Sequence, residues 1–198
     1  MNIKPIFVGI TGGSGAGKST LCDTLISRYP EIIEAIRLDD YFKPKELQPK
    51  IGNVLNFEHP DSLYFDNLVD DLKKLSEGNS VIINTRNTYL NPNYEKAKEK
   101  IPFEFYPKRI ILVEGFLILT NKKIREMLNM SIYLDVEHNT RWARRVHFKN
   151  EEYEKNVIIP MHNEHIEPTK KYATYIIDVS DLSKEQVIEK VEKILNLK

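Results

Sequence analysis

The sequence predicts an α/β fold in which helices cover both faces of a doubly wound, mostly parallel sheet. Strand-like and helix-like segments alternate along the 198 residues, which is typical of repeated strand–helix–strand units. Several strand-like segments are apolar throughout rather than alternating, as expected of strands that are buried on both faces. The six strand-like segments are IFVGI (6–10), EAIRL (34–38), SVIIN (80–84), RIILVEG (109–115), MSIYLDV (130–136) and YIIDV (175–179).

Helical periodicity identifies the main helices of the prediction. In the segment 62–75, apolar residues recur on one helix face. The segment 183–195 opens with Ser183 and Gln186 at the spacing of a capping box and continues with apolar residues at helical spacing. The stretch 84–107 is the least regular and is rich in Asn, Pro and Lys, so we predict that it is a functional insertion.

Composition indicates a soluble globular protein with a single domain covering 1–198. Hydrophobic residues make up 41% of the chain, so it can bury a core. The 29 basic and 29 acidic residues balance, which argues against a general nucleic-acid binder. The single cysteine, Cys22, excludes an internal disulfide and fits a reducing compartment. We see no signal-peptide pattern and no apolar run of the roughly 20 residues that span a bilayer, so we expect a cytoplasmic protein without membrane contacts. A homo-oligomer is compatible with these patterns.

The glycine-rich segment GGSGAGKS (12–19) matches the pattern G-x-x-x-x-G-K-[ST] in full, after a strand and before a helical pattern. Glycines let backbone N–H groups converge on phosphate oxygens, and the helix N-terminus adds its positive end. Lys18 would neutralise the β and γ phosphates, and Ser19 would hold Mg²⁺. The pattern predicts a phosphate loop for ATP with Mg²⁺, and the alternative is a glycine-rich turn without a ligand. The predicted nucleotide contacts are Gly12, Gly13, Ser14, Gly15, Ala16, Gly17, Lys18, Ser19, Thr20 and Arg141.

Several classes of protein share such a loop, and the rest of the sequence separates them. A GTPase should carry D-x-x-G and N-K-x-D, but the first motif is absent and NKKI (121–124) lacks the aspartate. A motor or transporter subunit would usually be longer and carry further signature segments. A chain built mostly of the nucleotide domain favours a kinase for a small metabolite.

Acidic residues follow two of the predicted strands. Ligands of a doubly wound sheet bind beyond the carboxyl ends of its strands, so Asp39 in RLDDYFKP (37–44) can come close to the γ-phosphate. A carboxylate there can take the proton of an acceptor hydroxyl or assist Mg²⁺, and the alternative is an aspartate that caps a turn. Glu114 ends a buried strand before Gly115, which suits a carboxylate that supports Mg²⁺, and the alternative is a strand-end salt bridge.

An arginine cluster lies in a predicted lid at about 139–159. Arg141 and Arg145 are four residues apart on one helix face, with Arg144 beside them. Such a cluster could clamp phosphate oxygens and stabilise charge in the transition state. We predict Arg144 and Arg145 as catalytic residues alongside the lysine of the loop, and the alternative is a solvated basic face.

Five further segments follow the phosphate loop in order. They are DDYF (39–42), LNFEHPDS (55–62), ILVEGF (111–116), IYLD with TRWARR (132–145) and IEPTKKYA with YII (166–177). In this order they resemble the uridine kinase family within the phosphoribulokinase/uridine kinase group of P-loop kinases, with Glu58 where the family has an aspartate. The resemblance runs from about Val8 to Ile177 and covers nearly the whole chain.

This resemblance implies transfer of the ATP γ-phosphate to the 5′-hydroxyl of a pyrimidine nucleoside, uridine or cytidine, as the small-molecule acceptor. It implies that Asp39 is the catalytic base and that Ser19 and Glu114 support Mg²⁺, with Asp39 as a further candidate ligand. Phe57 and Glu58 would lie against the nucleoside, where Glu58 would accept hydrogen bonds from ribose hydroxyls.

Further acceptor contacts are predicted around the same site. Tyr41 and Phe42 are candidate walls of the acceptor pocket. Arg86 and Tyr89 lie in the stretch 84–107, which we predict as an acceptor-side insertion, and they are candidate contacts of the acceptor.

Two alternatives to a pyrimidine nucleoside kinase stay open. DDYFKP (39–44) and EGF (114–116) also resemble nicotinamide riboside kinases of the same superfamily, so the acceptor can be another small metabolite. Lys149 and Asn150 occupy the place of the family's usual R-D pair, and the lid is short. A nucleotide-binding regulatory protein that has kept the phosphate loop but lost phosphoryl transfer is therefore the alternative from a different class.

Overall fold

The computed structural model of the chain describes residues 4–88, 90–144 and 150–197. In these residues the strands are β1 (Ile6–Thr11), β2 (Ile33–Arg37), β3 (Lys50–Ile51), β4 (Val54–Leu55), β5 (Val81–Thr85), β6 (Ile101–Phe105), β7 (Ile110–Glu114), β8 (Met130–Asp135) and β9 (Tyr175–Asp178). The α-helices are α1 (Lys18–Arg28), α2 (Phe65–Ser76), α3 (Tyr94–Ala97), α4 (Lys122–Met127), α5 (His138–Arg144), α6 (Glu151–Tyr153), α7 (Ile159–Met161) and α8 (Lys184–Ile194).

The central sheet of the described chain has the strand order β2-β7-β1-β8-β9, and all neighbouring pairs are parallel. In its register Ile10 of β1 pairs with Glu114 of β7, which in turn pairs with Arg37 of β2. The carboxyl ends of these three strands therefore meet at one edge of the sheet, and the predicted parallel arrangement is confirmed. That edge carries the phosphate-loop segment 12–19 and the turn that holds Asp39.

Helices cover both faces of the central sheet, as the sequence predicts. On one face Ile111 and Val113 of β7 pack with the buried leucines of α2. On the opposite face Ile110 and Leu112 of the same strand pack with buried side chains of α1 and α8. Successive residues of a strand point to opposite faces, so a strand that is apolar throughout can be buried on both sides.

The strand predicted at 80–84 forms, but it lies outside the central sheet. β5 pairs antiparallel with β6 in a separate two-stranded sheet. Val81 and Ile83 of β5 are buried, whereas Ile82 is 68% exposed. This alternation gives β5 only one buried face, which suits a sheet that is open to solvent on the other side.

Part of the stretch 84–107 is regular, which differs from the expectation of an irregular segment. It contains α3 and β6. Pro102 lies within β6, where a proline argues against a strand from sequence alone. Because β6 belongs to a two-stranded sheet with free edges, the missing N–H of a proline is tolerated there. We refer to β5, β6 and the residues between them as the β5–β6 hairpin.

The two predicted amphipathic helices are present. α2 begins at Phe65, later than the start of the predicted segment, because Pro60–Ser62 form a 3₁₀ turn before it. At the start of α8 the capping box is confirmed: Ser183 Oγ accepts from the Gln186 N–H at 3.2 Å, and Gln186 Oε1 accepts from the Ser183 N–H at 2.8 Å. Among the described helices, none combines the length and apolar character that crossing a bilayer requires.

The segment 151–172 is helical and changes pitch along its length. π-helical turns at Glu154–Ile158 and His162–Ile166 alternate with α6 and α7, and 3₁₀ turns end the segment at Glu167–Tyr172. Asn150 caps its start, since its side-chain oxygen accepts from the Tyr153 N–H at 2.8 Å. Single π-helical turns are rare and frequently occur at functional sites.

Candidate active site

The phosphate loop connects β1 to α1 and lies against α5. A Cβ on Gly13 would overlap the guanidinium of Arg141, and a Cβ on Gly15 would overlap the carbonyl oxygen of the same arginine. Arg141 is buried, and its Nε donates to the carbonyl oxygen of Val136 at 3.2 Å. The loop thus forms a backbone cradle beside a buried arginine, and this donor set fits the phosphates of a nucleotide.

Lys18 lies buried in the first turn of α1. Its Nζ donates to the carbonyl oxygen of Gly13 at 3.1 Å, which holds the ammonium against the loop. Burial lowers the pKa of Lys18, while the carboxylates of Glu114 and Asp39 oppose this shift. An ammonium has three donors, so Lys18 can donate to phosphate oxygens as well as to the loop.

Glu114 joins the phosphate loop to the neighbouring strands. Ser19 Oγ donates to Glu114 Oε1 at 3.4 Å, and the Arg37 guanidinium lies 3.5 Å from Glu114 Oε2. Burial raises the pKa of Glu114, whereas the positive charges of Lys18 and Arg37 oppose the rise. No local pattern in the sequence identifies Arg37 as part of the site, because its position beside Glu114 depends on the register of two strands that are distant in the chain.

The oxygen atoms at this edge of the sheet fit Mg²⁺. Ser19 contributes a hydroxyl and Glu114 a carboxylate within hydrogen-bond distance of each other, and hard oxygen ligands are those that Mg²⁺ prefers. In the described ranges no group of three or more His, Cys, Asp or Glu side chains could hold a metal by itself. Mg²⁺ usually takes one or two carboxylates and completes its ligands from phosphates and water, which this pair of side chains allows.

Asp39 and Asp40 are adjacent in a 3₁₀ turn, Leu38–Tyr41, but have different surroundings. The Asp39 side chain is 47% exposed, and its Oδ2 lies 2.5 Å from Nη2 of Arg86. Asp40 accepts from Thr85 Oγ1 at 3.0 Å and from the Arg86 N–H at 2.8 Å, and burial raises its pKa. Asp40 therefore fixes the turn to the β5–β6 hairpin, while Asp39 faces the open part of the site.

Three aromatic rings form a wall next to Asp39. The Phe42 ring meets the Phe57 ring edge-to-face at 5.9 Å between centroids and stacks on the Phe116 ring at 6.4 Å. The Arg86 guanidinium lies 5.1 Å from the centroid of the Phe42 ring. This wall provides an apolar surface of the kind that contacts the flat ring of a small ligand.

Tyr41, predicted as a second wall of the acceptor pocket, has a different environment. Its side chain is buried in the core, and its hydroxyl donates to Asp71 Oδ2 in α2 at 2.9 Å. Burial and the Asp71 carboxylate raise the pKa of Tyr41. Its polar end is thus engaged by α2, and this placement does not support an acceptor contact.

The segment 56–59 lies between the phosphate loop and the segment 151–172. Ser14 Oγ of the loop donates to Oε2 of the buried Glu58 at 3.4 Å. From the other side the Tyr153 hydroxyl accepts from the Phe57 N–H at 3.2 Å, and Asn56 Nδ2 donates to Met161 Sδ at 3.2 Å. No sequence signal marks the contacts of Tyr153 and Met161, because they join segments about a hundred residues apart.

On the other side of the phosphate loop lies a cavity of about 510 Å³. Its lining is mostly apolar, which suits a nucleobase next to the triphosphate cradle. Arg144 lies at its margin, where Nη2 donates to the carbonyl oxygen of Val179 at 3.4 Å. The further lining residues include Gly15, Ala16, Gly17, Thr20, Leu182 and Val187.

The predicted arginine cluster is therefore divided. Arg141 lies against the phosphate loop, whereas Arg144 lies beside the cavity that α8 helps to form. The predictions for Arg145 and Tyr89 lie outside the described residues.

Comparison with solved structures supports the fold. The chain matches a structure described as a possible uridine kinase from Bacillus stearothermophilus with a TM-score of 0.63 and 18% sequence identity, over 88% of this chain and 89% of the other. At this identity the likeness shows the fold alone. The parallel sheet with its phosphate loop is the architecture of a P-loop kinase, as the sequence predicts.

Comparison with known sequences gives the family. The sequence model described as the phosphoribulokinase / uridine kinase family matches residues 7–185. A protein named uridine kinase from Leuconostoc citreum is 33% identical over 191 residues, 89% of each chain. One of the same name from Staphylococcus haemolyticus is 35% identical over 182 residues, 86% of each chain. The chain belongs to the phosphoribulokinase / uridine kinase family, and it is accordingly a kinase of a small metabolite with ATP as phosphoryl donor.

Proposed function

We propose that the protein transfers the ATP γ-phosphate to the 5′-hydroxyl of a pyrimidine nucleoside, uridine or cytidine, with Mg²⁺ as the metal. The observation that carries this proposal is the half-exposed Asp39 carboxylate, which interacts electrostatically with Lys18 of the phosphate loop. A carboxylate between a phosphate cradle and an aromatic wall suits a base that acts on an acceptor hydroxyl. The relatives named uridine kinase support the choice of acceptor.

On the donor side, the loop 12–19 would bind the triphosphate of ATP and the adjoining cavity would hold its base. Lys18 would donate to the β and γ phosphates, and Arg141 would add positive charge where charge builds up on the transferred group. Arg144 at the edge of the cavity would contact the nucleoside part of ATP, which is a different role from the catalytic one that its sequence position suggests.

Ser19 and Glu114 would hold Mg²⁺ at the carboxyl edge of the sheet, with Asp39 as a further candidate ligand. When bound, Mg²⁺ neutralises charge on the phosphate oxygens and aligns the γ-phosphate for in-line transfer. Asp39 would accept the proton of the 5′-hydroxyl as the oxygen attacks phosphorus. Arg37, which pairs with Glu114, would keep that carboxylate ionised and oriented.

On the acceptor side, the wall of Phe42, Phe57 and Phe116 would contact the pyrimidine ring. Glu58, buried beside the loop serine, would accept hydrogen bonds from the ribose hydroxyls. A buried carboxylate that needs hydroxyl partners discriminates strongly against acceptors that lack them. We further propose that the stretch 84–107 is the acceptor-side insertion and 139–159 the lid of a single domain.

The test is ADP release with ATP and Mg²⁺ in the presence of uridine, cytidine or nicotinamide riboside, each at the same concentration. Rapid turnover with uridine or cytidine is expected. Faster turnover with nicotinamide riboside would replace the proposed acceptor but keep the kinase. Binding of ATP without stimulation by any of the three acceptors would contradict the proposal and favour a regulatory protein.

A further inference from the structure

We propose that Arg86 is a positioning residue that holds the Asp39 carboxylate in its reactive orientation. This inference rests on the proposed function, because it assigns a role to Arg86 through the base of that reaction. Arg86 belongs to the β5–β6 hairpin, 47 residues from Asp39 in the chain, and the tertiary fold brings the two side chains together. A contact of the acceptor itself, which the sequence predicts for Arg86, would be a separate role.

The position of the guanidinium is determined at both ends of the residue. The backbone N–H of Arg86 donates to Oδ1 of the half-buried Asp40 at 2.8 Å, and Thr85 Oγ1 donates to Oδ2 of the same aspartate at 3.0 Å. The guanidinium lies 5.1 Å from the centroid of the Phe42 ring, within the range of a cation–π contact. The half-buried Asp40 carboxylate thus holds the Arg86 backbone and the Phe42 ring contacts its guanidinium. Together they restrain a long side chain that would otherwise sample many rotamers.

Asp39 lacks comparable restraint from its own turn. Its side chain is 47% exposed, and a short exposed side chain on a 3₁₀ turn can rotate about χ1. The ion pair with Nη2 of Arg86, at 2.5 Å from Oδ2, removes this freedom. Charge-assisted hydrogen bonds of this length are among the stronger contacts in proteins. Because Arg86 engages Oδ2, Oδ1 is the oxygen left for the acceptor hydroxyl in the proposed reaction.

The Arg86 side chain is well suited to stay charged in this place. Burial disfavours its charge, but the carboxylates of Asp39 and Asp40 outweigh that effect and raise the pKa of the guanidinium. Arg86 therefore remains a cation, and removal of its charge requires a substitution.

A double-mutant cycle tests the inference, with Arg86→Gln, Asp39→Asn and the double variant. The acceptor is the nucleoside that the unaltered protein converts fastest. Arg86→Gln should lower kcat about tenfold to a hundredfold, since misplacement of a reacting group by about 1 Å costs rates of that order. In the Asp39→Asn background, where no base is left to orient, the same substitution should change kcat by less than about twofold. Arg86→Lys should restore part of kcat, because a cation returns without the planar geometry of the guanidinium.

The matched control is Lys96→Gln, which removes an exposed positive charge from the same hairpin and should leave kcat unchanged. Equal losses from Arg86→Gln in both backgrounds would overturn the inference, and so would a loss confined to the KM of the acceptor. Unchanged melting temperatures exclude a general loss of folding as the cause. If the unaltered protein converts no acceptor, the proposed function fails and Arg86 loses its role with it. If the protein converts a nucleoside and the cycle is additive, the Arg86 inference alone fails.

Discussion

The two sides of the site differ in how they are built. The proposed nucleotide side consists of the contiguous loop 12–19 with α5 and the cavity beside α8. Most of its hydrogen-bond donors are backbone N–H groups of the loop or side chains that lie against the loop. The proposed acceptor side consists of side chains from the turn 38–41, the segment 56–59 and the β5–β6 hairpin, and hydrogen bonds across 45 to 47 residues of chain join the turn to the hairpin. A cradle of backbone groups can bind the phosphates of any nucleoside triphosphate, whereas separate side chains can be substituted one at a time. Under the proposed function, the choice of acceptor therefore depends on the second side.

The comparison is tested most strongly by Asp39→Asn, which removes the proposed base and leaves the size of the side chain unchanged. We expect kcat to fall by about a hundredfold or more, the usual size of a general-base contribution, with little change in the affinity for ATP. Steady-state kinetics and a nucleotide-binding titration measure both quantities. Asp40→Asn is the matched control: because Asp40 is half-buried and hydrogen-bonded to the hairpin, this substitution should lower stability more than kcat. If Asp40→Asn lowered kcat by this amount and Asp39→Asn mainly lowered stability, Asp40 would be the base.

Lys18→Ala acts on the nucleotide side and should lower kcat/KM by about a hundredfold, as expected for loss of one preorganised donor to a developing charge. The factor should be the same for uridine and cytidine, because the lysine contacts only the shared phosphates. Parallel measurements with both acceptors check this. A loss of kcat/KM that differs between uridine and cytidine would indicate that Lys18 acts on the acceptor side instead.

Glu58→Gln acts on the acceptor side and should raise the KM of the nucleoside by about tenfold, because a hydrogen bond to a charged group contributes about 1.5–3 kcal/mol. The KM of ATP should stay nearly constant. Glu46→Gln, at an exposed position of the same part of the chain, is the matched control. Equal increases for both substrates would mean that Glu58 acts through its contact with Ser14 instead.

The last prediction concerns the stability of the protein and the segment 151–172. His162 lies in the segment 151–172, and burial, together with the positive charge of Arg141 and of His138, lowers its pKa to about 4. The unfolded chain takes up a proton below about pH 6.5 and the folded chain only near pH 4. The stability from the neutral ring is therefore complete above pH 6.5 and is lost as the pH falls toward 4.

Urea unfolding at pH 7 and pH 5 measures this loss. Between these values the wild type should lose about 2 kcal/mol more than His162→Gln, which cannot take up the proton. Equal losses in the two proteins would mean that His162 has the same pKa in the folded and the unfolded chain.

The features whose positions the sequence predicts correctly have local signals, and their functional roles stay predictions. The phosphate loop is a contiguous motif, the capping box of α8 spans four residues, and an acid at the end of an apolar strand marks Glu114. All three depend on neighbours in the chain, so a single sequence contains what is needed to find them.

Other features depend on contacts between distant segments and cannot be predicted from local patterns in a single sequence. The sequence pattern of β5 fits a strand, but its antiparallel partner lies twenty residues further on, beyond an irregular connection. Arg141 and Arg144 are three residues apart and share a helix, yet one faces the loop and the other the α8 cavity. The Tyr41 hydroxyl donates to Asp71 in α2, a partner that no local pattern identifies.

The hydrogen bond between Ser14 and Glu58 has a thermodynamic consequence. Under the proposed function Ser14 belongs to the ATP site and Glu58 to the nucleoside site, so the two sites would share one contact at 3.4 Å. A phosphate that draws the serine hydroxyl away would give the Glu58 carboxylate one acceptor position for a ribose hydroxyl. Linkage then requires the converse: a nucleoside that occupies Glu58 releases the serine for the phosphate, and each substrate raises the affinity of the other by the same factor.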